Sequence, residues 1–333
     1  MRTLESAPDS LFDGAGRPRS GSFRGPLPRT ELGPLGKGWL YRLAHEKRWF
    51  YYSIAAEDLL LGAAIVDTTY ATSAFAFAYD ARKKRLVVDH SAMGHPLSAR
   101  VGVTTHEGAL AFFKGSDTLI RWNRTFETDH YSLAIAVPSL RVDARFAMPG
   151  TPDALSYIGP VPGGVLHTTE KRVLMPIEGE VVLEGERRSL DGALGGFDYS
   201  HGYLPRHTAW RWAFFQAIAA GVGPIALNLV EGFIGEPECG AWAGGQLFPL
   251  GEARFTFDLE APEKPWLVST ACGAVDLRFT PGGIHAERKE LGVVSSRFLQ
   301  PVGAFAGTLR LPGQSLIEVS GALGVTESQD VRW

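Results

Sequence analysis

The stretch Gly195–Trp212, GGFDYSHGYLPRHTAWRW, brings Asp198, Tyr199, Ser200, His201, Tyr203, Arg206, His207, Trp210 and Trp212 together within eighteen positions. No other stretch sets so many groups able to move a proton beside so much aromatic surface. A carboxyl group desolvated by Trp and Tyr rings has its pKa raised and can deliver a proton near neutral pH. Asp198 is the expected acid, tuned by His201, Tyr203 and Arg206, and nearby ring faces can stabilise a developing carbocation through their quadrupoles. Gly195, Gly196 and Gly202 point to a loop shaped by tight or left-handed turns, with a short helical turn between Asp198 and Arg206.

The same residues also fit a purely structural role, in which an Asp198–Arg206 pair fastens a loop and Trp210 and Trp212 are plain core. His201 and His207 lack the helical spacing and intervening carboxylate of a zincin site, so no metal is expected. Ser200 lacks the G-x-S-x-G elbow of a hydrolase nucleophile. The pairs Gly163-Gly164 and Gly244-Gly245 have neither P-loop nor dinucleotide-binding context, and no cofactor is expected. Asp67 with Tyr70, and Glu231 with Glu238, are weaker candidates at strand ends, near a cavity rim if both halves of the chain close alike.

What positions these residues is a succession of short segments rich in Val, Ile, Phe, Tyr and Trp, each bounded by Gly, Asp, Pro or Asn, which is the pattern of sandwiches and barrels. Segments 49–55, 74–80, 85–89, 109–113, 131–138 and 140–146 read as strands in the first half. In the second half, 181–184, 210–219, 225–230, 254–259, 275–279, 303–311 and 316–322 do so. No window gives a long amphipathic helix. Arg48-Trp49-Phe50-Tyr51-Tyr52 can be laid on Arg211-Trp212-Ala213-Phe214-Phe215, each followed by an apolar run ending in an acid, Asp67 or Glu231. A repeat this long suggests a duplicated domain.

The expected fold is therefore all-β: two antiparallel half-barrels or sandwiches, residues 37–165 and 166–333, behind an irregular Gly-, Pro- and Arg-rich arm, residues 1–36. Period two places Trp210, Trp212, Phe214, Gln216 and Ile218 on one face and Arg211, Ala213, Phe215 and Ala217 on the other. Both faces are largely apolar, as expected where one meets a core and the other lines an enclosed space. Trp49, Tyr51, Trp210, Trp212, Phe214 and Gln216 are the expected ligand-binding residues.

Composition fits this picture and excludes others. Hydrophobic residues make up 45% and charged residues 21%, enough to bury a core. The net charge of −3, without a basic field, argues against a nucleic-acid partner. Two cysteines, Cys239 and Cys272, give no disulfide framework. With no apolar run long enough to span a bilayer or serve as a signal peptide, a cytoplasmic location is expected, with peripheral membrane contact open. Oligomeric state is not legible.

The order of these features resembles a family known as domain of unknown function 2804. The matching pieces are Leu11-Phe12-Asp13-Gly14-Ala15-Gly16-Arg17, Lys47-Arg48-Trp49-Phe50-Tyr51-Tyr52, Ala64-Ile65-Val66-Asp67-Thr68-Thr69-Tyr70, Gly196-Phe197-Asp198-Tyr199-Ser200-His201-Gly202, Trp210-Arg211-Trp212-Ala213, Lys264-Pro265-Trp266, Gln300-Pro301-Val302-Gly303 and Arg332-Trp333. The family pattern looks like L-D-[FW]-G-R-G-x-[WY]-P-Y followed by W-N-W-A. Here Ser200-His201 replaces Gly-Arg and Arg211 replaces Asn, so a role of the family's fixed cation does not carry over to His201.

By more distant similarity the family looks lipocalin-like, akin to carotenoid 1,2-hydratases and tocopherol-cyclase-type proteins, which protonate alkenes of isoprenoid chains. The resemblance implies a bound hydrophobic, lipid- or isoprenoid-like molecule and acid-catalysed hydration, isomerisation or cyclisation. A non-catalytic carrier with the same cavity is the alternative, and the sequence leaves open whether the chain is an enzyme.

Overall fold

The computed structural model describes residues 2–292 and 294–333, and almost all of its regular structure is β. Two sheets divide the chain. The first runs, edge to edge, Arg85–Gly94, Thr72–Asp80, Leu59–Asp67, Glu46–Ala55, Leu194–Tyr203, Leu166–Leu183, Leu140–Ala147, His130–Val137, Leu119–Asn123, Leu110–Lys114, Ala99–Val101. The second runs Gln246–Pro249, Gly240–Ala243, Gly223–Gly232, His207–Ala219, Ile317–Arg332, Val294–Leu309, Val275–Leu291, Trp266–Thr270, Ala253–Thr256.

Both sheets share one wiring. The first long strand of each half, Glu46–Ala55 or His207–Ala219, pairs with the strand that follows it and with the last strand of its half. The intervening chain meanders outward, crosses to the far edge and meanders back. Register repeats as well: Arg48 faces Asp67 and Trp49 faces Val66, as Arg211 faces Glu231 and Trp212 faces Val230. Each sheet curls towards closure. Across the first seam Arg48 Nη1 donates to the Val101 carbonyl at 3.0 Å, and across the second the Phe255 N–H donates to Glu231 Oε1 at 3.2 Å.

Three expectations need correction. The break expected at 165/166 falls inside the first sheet, because Leu166–Leu183 and Leu194–Tyr203 pair there with each other and with Glu46–Ala55, so the sheets part at residues 204–206. The arm is not wholly irregular. Gly21–Arg24 adds to Leu155–Gly159, Glu5–Ser6 pairs with Gly21–Arg24, and Leu11, Phe23, Leu27 and Leu32 are buried in the first barrel's core. The stretch 198–206 holds no helical turn; the α-helix of the described residues is Trp39–His45.

Gly195 and Gly196 have a reason other than turning a loop. They lie on a strand, and a Cβ on Gly196 would stand 2.6 Å from the Arg172 carbonyl oxygen, so glycine allows this strand to lie against the bulge between Arg172 and Met175.

Neither barrel is hollow. Phe50, Trp122, Tyr131, Phe146 and Phe197 fill the first, with Trp122 stacked 4.8 Å from Tyr131; Phe215, Phe279, Phe305 and Trp266 fill the second. A third cluster joins the halves, with Tyr51, Phe77 and Tyr79 from the first meeting Trp212, Phe214 and Trp242 from the second. The apolar character of both strand faces thus has a specific origin: one face meets a barrel core and the other meets the opposite half.

Polar fasteners cross this interface. Gln216 Oε1 accepts from the N–H of Leu174, a residue in the left-handed region at φ 58°, and its Nε2 donates to the Leu194 carbonyl at 3.0 Å. Replacing Gln216 by Ala strands a buried N–H, so Gln216→Ala should lower unfolding free energy by about 1–3 kcal/mol in urea titration.

Candidate active site

The strand Leu194–Tyr203 sorts its side chains by alternation. Phe197, Tyr199 and Tyr203 belong to the first barrel's core, whereas Asp198 faces the second half. On the neighbouring strand Leu166–Leu183, Glu170 and Arg172 pair inside the barrel, and Lys171 turns outward with Asp198. On Glu46–Ala55, Trp49 and Tyr51 point the same way as Asp198; opposite them stand Trp210, Trp212 and Glu327 of the second half. Between these surfaces lies a cavity of about 410 Å³, within the usual range for small-molecule sites.

Nine aromatic side chains stand in its walls. Trp49 and Trp210, one from each half, stack with centroids 6.0 Å apart and planes 9° from parallel. Tyr51 meets Trp212 edge to face at 5.0 Å. Tyr70, Phe75, Phe233, Phe298 and Trp333 continue the lining.

One polar part of the wall spans the two halves, and another carries the Lys289–Glu287 ion pair. Lys171 Nζ binds Asp198 Oδ2 and lies 3.1 Å from Glu238 Oε2, bridging the two halves. His167 Nε2 is 3.1 Å from Glu238 Oε1, and Thr169 Oγ1 donates to Asp198 Oδ1 at 3.4 Å. Burial pushes Asp198 above the usual carboxylate range, with the Lys171 ammonium opposing it. Burial also works to raise Glu238, but Lys171 and His167 win and hold it at about 2.

Glu327 differs. It takes 2.7 Å hydrogen bonds from Trp210 Nε1 on Oε1 and from Gln300 Nε2 on Oε2, and among the described residues it makes no ion pair. Burial pushes its carboxyl up to about 7 against those two donors, and the Asp198 charge adds to the rise. It is a carboxylic acid poised to exchange a proton near neutral pH.

The residues expected from sequence separate accordingly. Asp198, Trp49, Tyr51, Trp210 and Trp212 all line the cavity. Phe214 lies in the interface core, stacked on Trp212 at 5.5 Å, and Gln216 is spent on the Leu174 and Leu194 backbone, so neither lines it. His201 is buried within the first barrel. Its Nε2 accepts from Arg48, its Nδ1 lies 2.9 Å from Thr30 Oγ1, and burial lowers it to about 4. The replacement of the family's Arg by His201 therefore alters the barrel interior. Tyr203 packs edge-on to Tyr41 on the barrel side, and Arg206 is an exposed linker residue whose carbonyl accepts from the Trp333 N–H. Alternation puts His201 and Tyr203 on the face away from Asp198, and the partner of Asp198 is Lys171 rather than Arg206.

Of the weaker candidates, Asp67 accepts from the Thr69 N–H as a turn residue, Tyr70 and Glu238 line the cavity, and Glu231 secures the second seam. No group of three His, Cys, Asp or Glu side chains among the described residues is placed to hold a metal.

Two stability measurements probe this arrangement. Lys171→Met leaves Asp198 and Glu238 buried without their cation and should cost about 3–5 kcal/mol in urea at neutral pH, a loss that shrinks at acid pH as the carboxyls take up protons. Glu327, raised from 4.5 to about 7, binds its proton more tightly folded than unfolded. Its contribution is full below about 4.5 and is lost as pH rises through about 7. In melting curves across that window Glu327→Gln should remove this decline.

A comparison with curated proteins finds no match. Among solved structures the fold is similar to CghA with Sch210972, at TM-score 0.56 and 11% identity, covering 98% of this chain and 97% of that one. It is similar to a protein described as AttH from Nitrosomonas europaea, at TM-score 0.50 and 14% identity over 85% and 92% of the two chains. It is also similar to kievitone hydratase from Nectria haematococca, at TM-score 0.50 and 11% identity over 87% and 89%. At these identities the likeness establishes the lipocalin-like fold. Over residues 2–333 the sequence matches the family described as domain of unknown function 2804, and the chain belongs to that family.

Proposed function

We propose that the chain binds an apolar, lipid- or isoprenoid-like molecule between its half-barrels and protonates a carbon–carbon double bond within it. The observation that carries this reading is Glu327, a carboxyl with no ion pair among the described residues, held near neutrality in an aromatic-walled cavity. That CghA was solved with Sch210972, and that another structural neighbour bears the name hydratase, supports a small-molecule site on this fold.

Two carboxyl groups divide the work. Glu327 gives its proton to one alkene carbon, and the carbocation left on the other is stabilised by the faces of Trp49, Trp210 and Trp212. Asp198, paired with the Lys171 ammonium and made more basic by burial, accepts the second proton. In a hydration that proton comes from the water that adds to the cation; in an isomerisation or cyclisation it comes from a neighbouring carbon. Proton return to Glu327 through solvent completes the cycle. Lys171, Gln300 and Glu238 position the two carboxyls.

A carrier would share the cavity without this division. With a prenyl-chain alkene as probe, Glu327→Gln should keep its affinity within a few-fold and lower turnover by ~10² or more, and Asp198→Asn should do the same. Wild-type protein that binds such alkenes but releases them all unchanged would make it a carrier.

A further inference from the structure

Near one part of the cavity wall, apolar side chains are turned towards solvent, whereas the Lys289–Glu287 ion pair stands in another part of the lining. On the helix Trp39–His45, Trp39 is 72% exposed and Leu40 64%, with Leu43 also exposed on the same side, while Tyr41 and His45 stack inward. The helix abuts the cavity wall: Thr69 Oγ1 donates to the Leu43 carbonyl at 2.7 Å, and Thr69 lies between Thr68 and Tyr70, both of which line the cavity. Lys47 Nζ ties the helix end to this loop, donating to the carbonyls of Ala44 and Thr68 at 2.9 and 3.3 Å.

Thr72 Oγ1 donates to the His95 carbonyl in the turn that carries Leu97, 85% exposed, and Met93, on the strand before it, is also exposed and part of the lining. Just before the helix Lys37 stands exposed over the Tyr41 ring, and on it Arg42 pairs with Glu46 at 2.9 Å.

Large apolar side chains exposed in water at one place are costly unless something covers them. Exposed Trp and Leu on a short helix beside a basic side chain are the composition that settles at a lipid–water interface, with rings at headgroup depth and the Lys37 cation towards phosphate. The helix also adjoins the Thr68–Tyr70 part of the wall of a largely apolar cavity, whose ligand would be dissolved in membrane. We propose that these exposed side chains form a membrane-docking surface, through which the chain rests on a lipid bilayer and takes its apolar ligand directly from it. The proposal rests on the cavity receiving an apolar molecule.

The test is co-sedimentation of the full chain with phosphatidylcholine vesicles, with and without added phosphatidylserine. Wild-type protein is expected to sediment with both, more strongly with the anionic ones because of Lys37. The triple variant Trp39→Ser, Leu40→Ser, Leu43→Ser should lose partitioning by ~10-fold or more. Its melting temperature and its uptake of anilinonaphthalene sulfonate into the cavity should stay at wild-type values, which separates loss of docking from loss of fold. Failure of wild-type protein to sediment, or sedimentation of the variant as efficient as wild type, overturns the proposal. A surface that instead retains a protein partner while ignoring both vesicle types overturns it too. Probe uptake reports on the cavity independently, so a failed cavity and a failed docking surface give different results.

Discussion

The ammonium of Lys171 is the interaction on which the site depends. It sits on the first sheet, holds Asp198 of the same sheet, and reaches Glu238 of the second half. A buried cation between two carboxylates is costly to assemble and more costly to break, because removing it strands two negative charges. Its geometry fixes where the two half-barrels stand relative to each other at the polar wall of the cavity. It also opposes the rise that burial gives Asp198 and, with His167, holds Glu238 at about 2, whereas Glu327, on the second half and without such a partner, is pushed up to about 7.

That separation of two carboxyl groups by environment is the general way one site can supply both an acid and a base at one pH. Here it is produced by the duplication. Side chains fill each half, and the outer face of each carries aromatic residues that the other covers. Equivalent strands bring Trp49 and Trp212 to the same face in their own sheets, and facing them across an interface creates a cavity that neither sheet could form by itself. The close approach has its own requirement at Gly282, where a Cβ would stand 1.9 Å from the Tyr79 hydroxyl of the opposite half.

The sequence made the β architecture, the repeat and the two faces of Trp210–Ala217 legible, because alternation of apolar types survives wherever a strand has a core behind it. It made Asp198 legible through the density of polar groups beside aromatic ones in Gly195–Trp212, and with it four aromatic lining residues. Lys171 and Glu327 were hidden. The run His167-Thr168-Thr169-Glu170-Lys171-Arg172 looks like solvated surface, yet all of it is buried, since Glu170 and Arg172 satisfy each other inside the barrel while Lys171 finds carboxylates outside. Thr326-Glu327-Ser328-Gln329-Asp330 likewise reads as a polar edge, and only the pairing of its strand with His207–Ala219 brings Glu327 beside Trp210. Burial of polar residues depends on partners distant in sequence, which a local pattern does not contain. His201 and Tyr203 were grouped with Asp198 by proximity in sequence, and the pleat separates them.

The central claim is that the space between the halves holds an apolar molecule. Native mass spectrometry of gently purified protein tests it most directly, comparing wild type with Val66→Trp, which fills the cavity from its wall. The account predicts one apolar small molecule carried per wild-type chain and none in the variant. A wild-type chain that flies empty after purification from a lipid-rich extract, or a variant that carries the same molecule equally well, would contradict it.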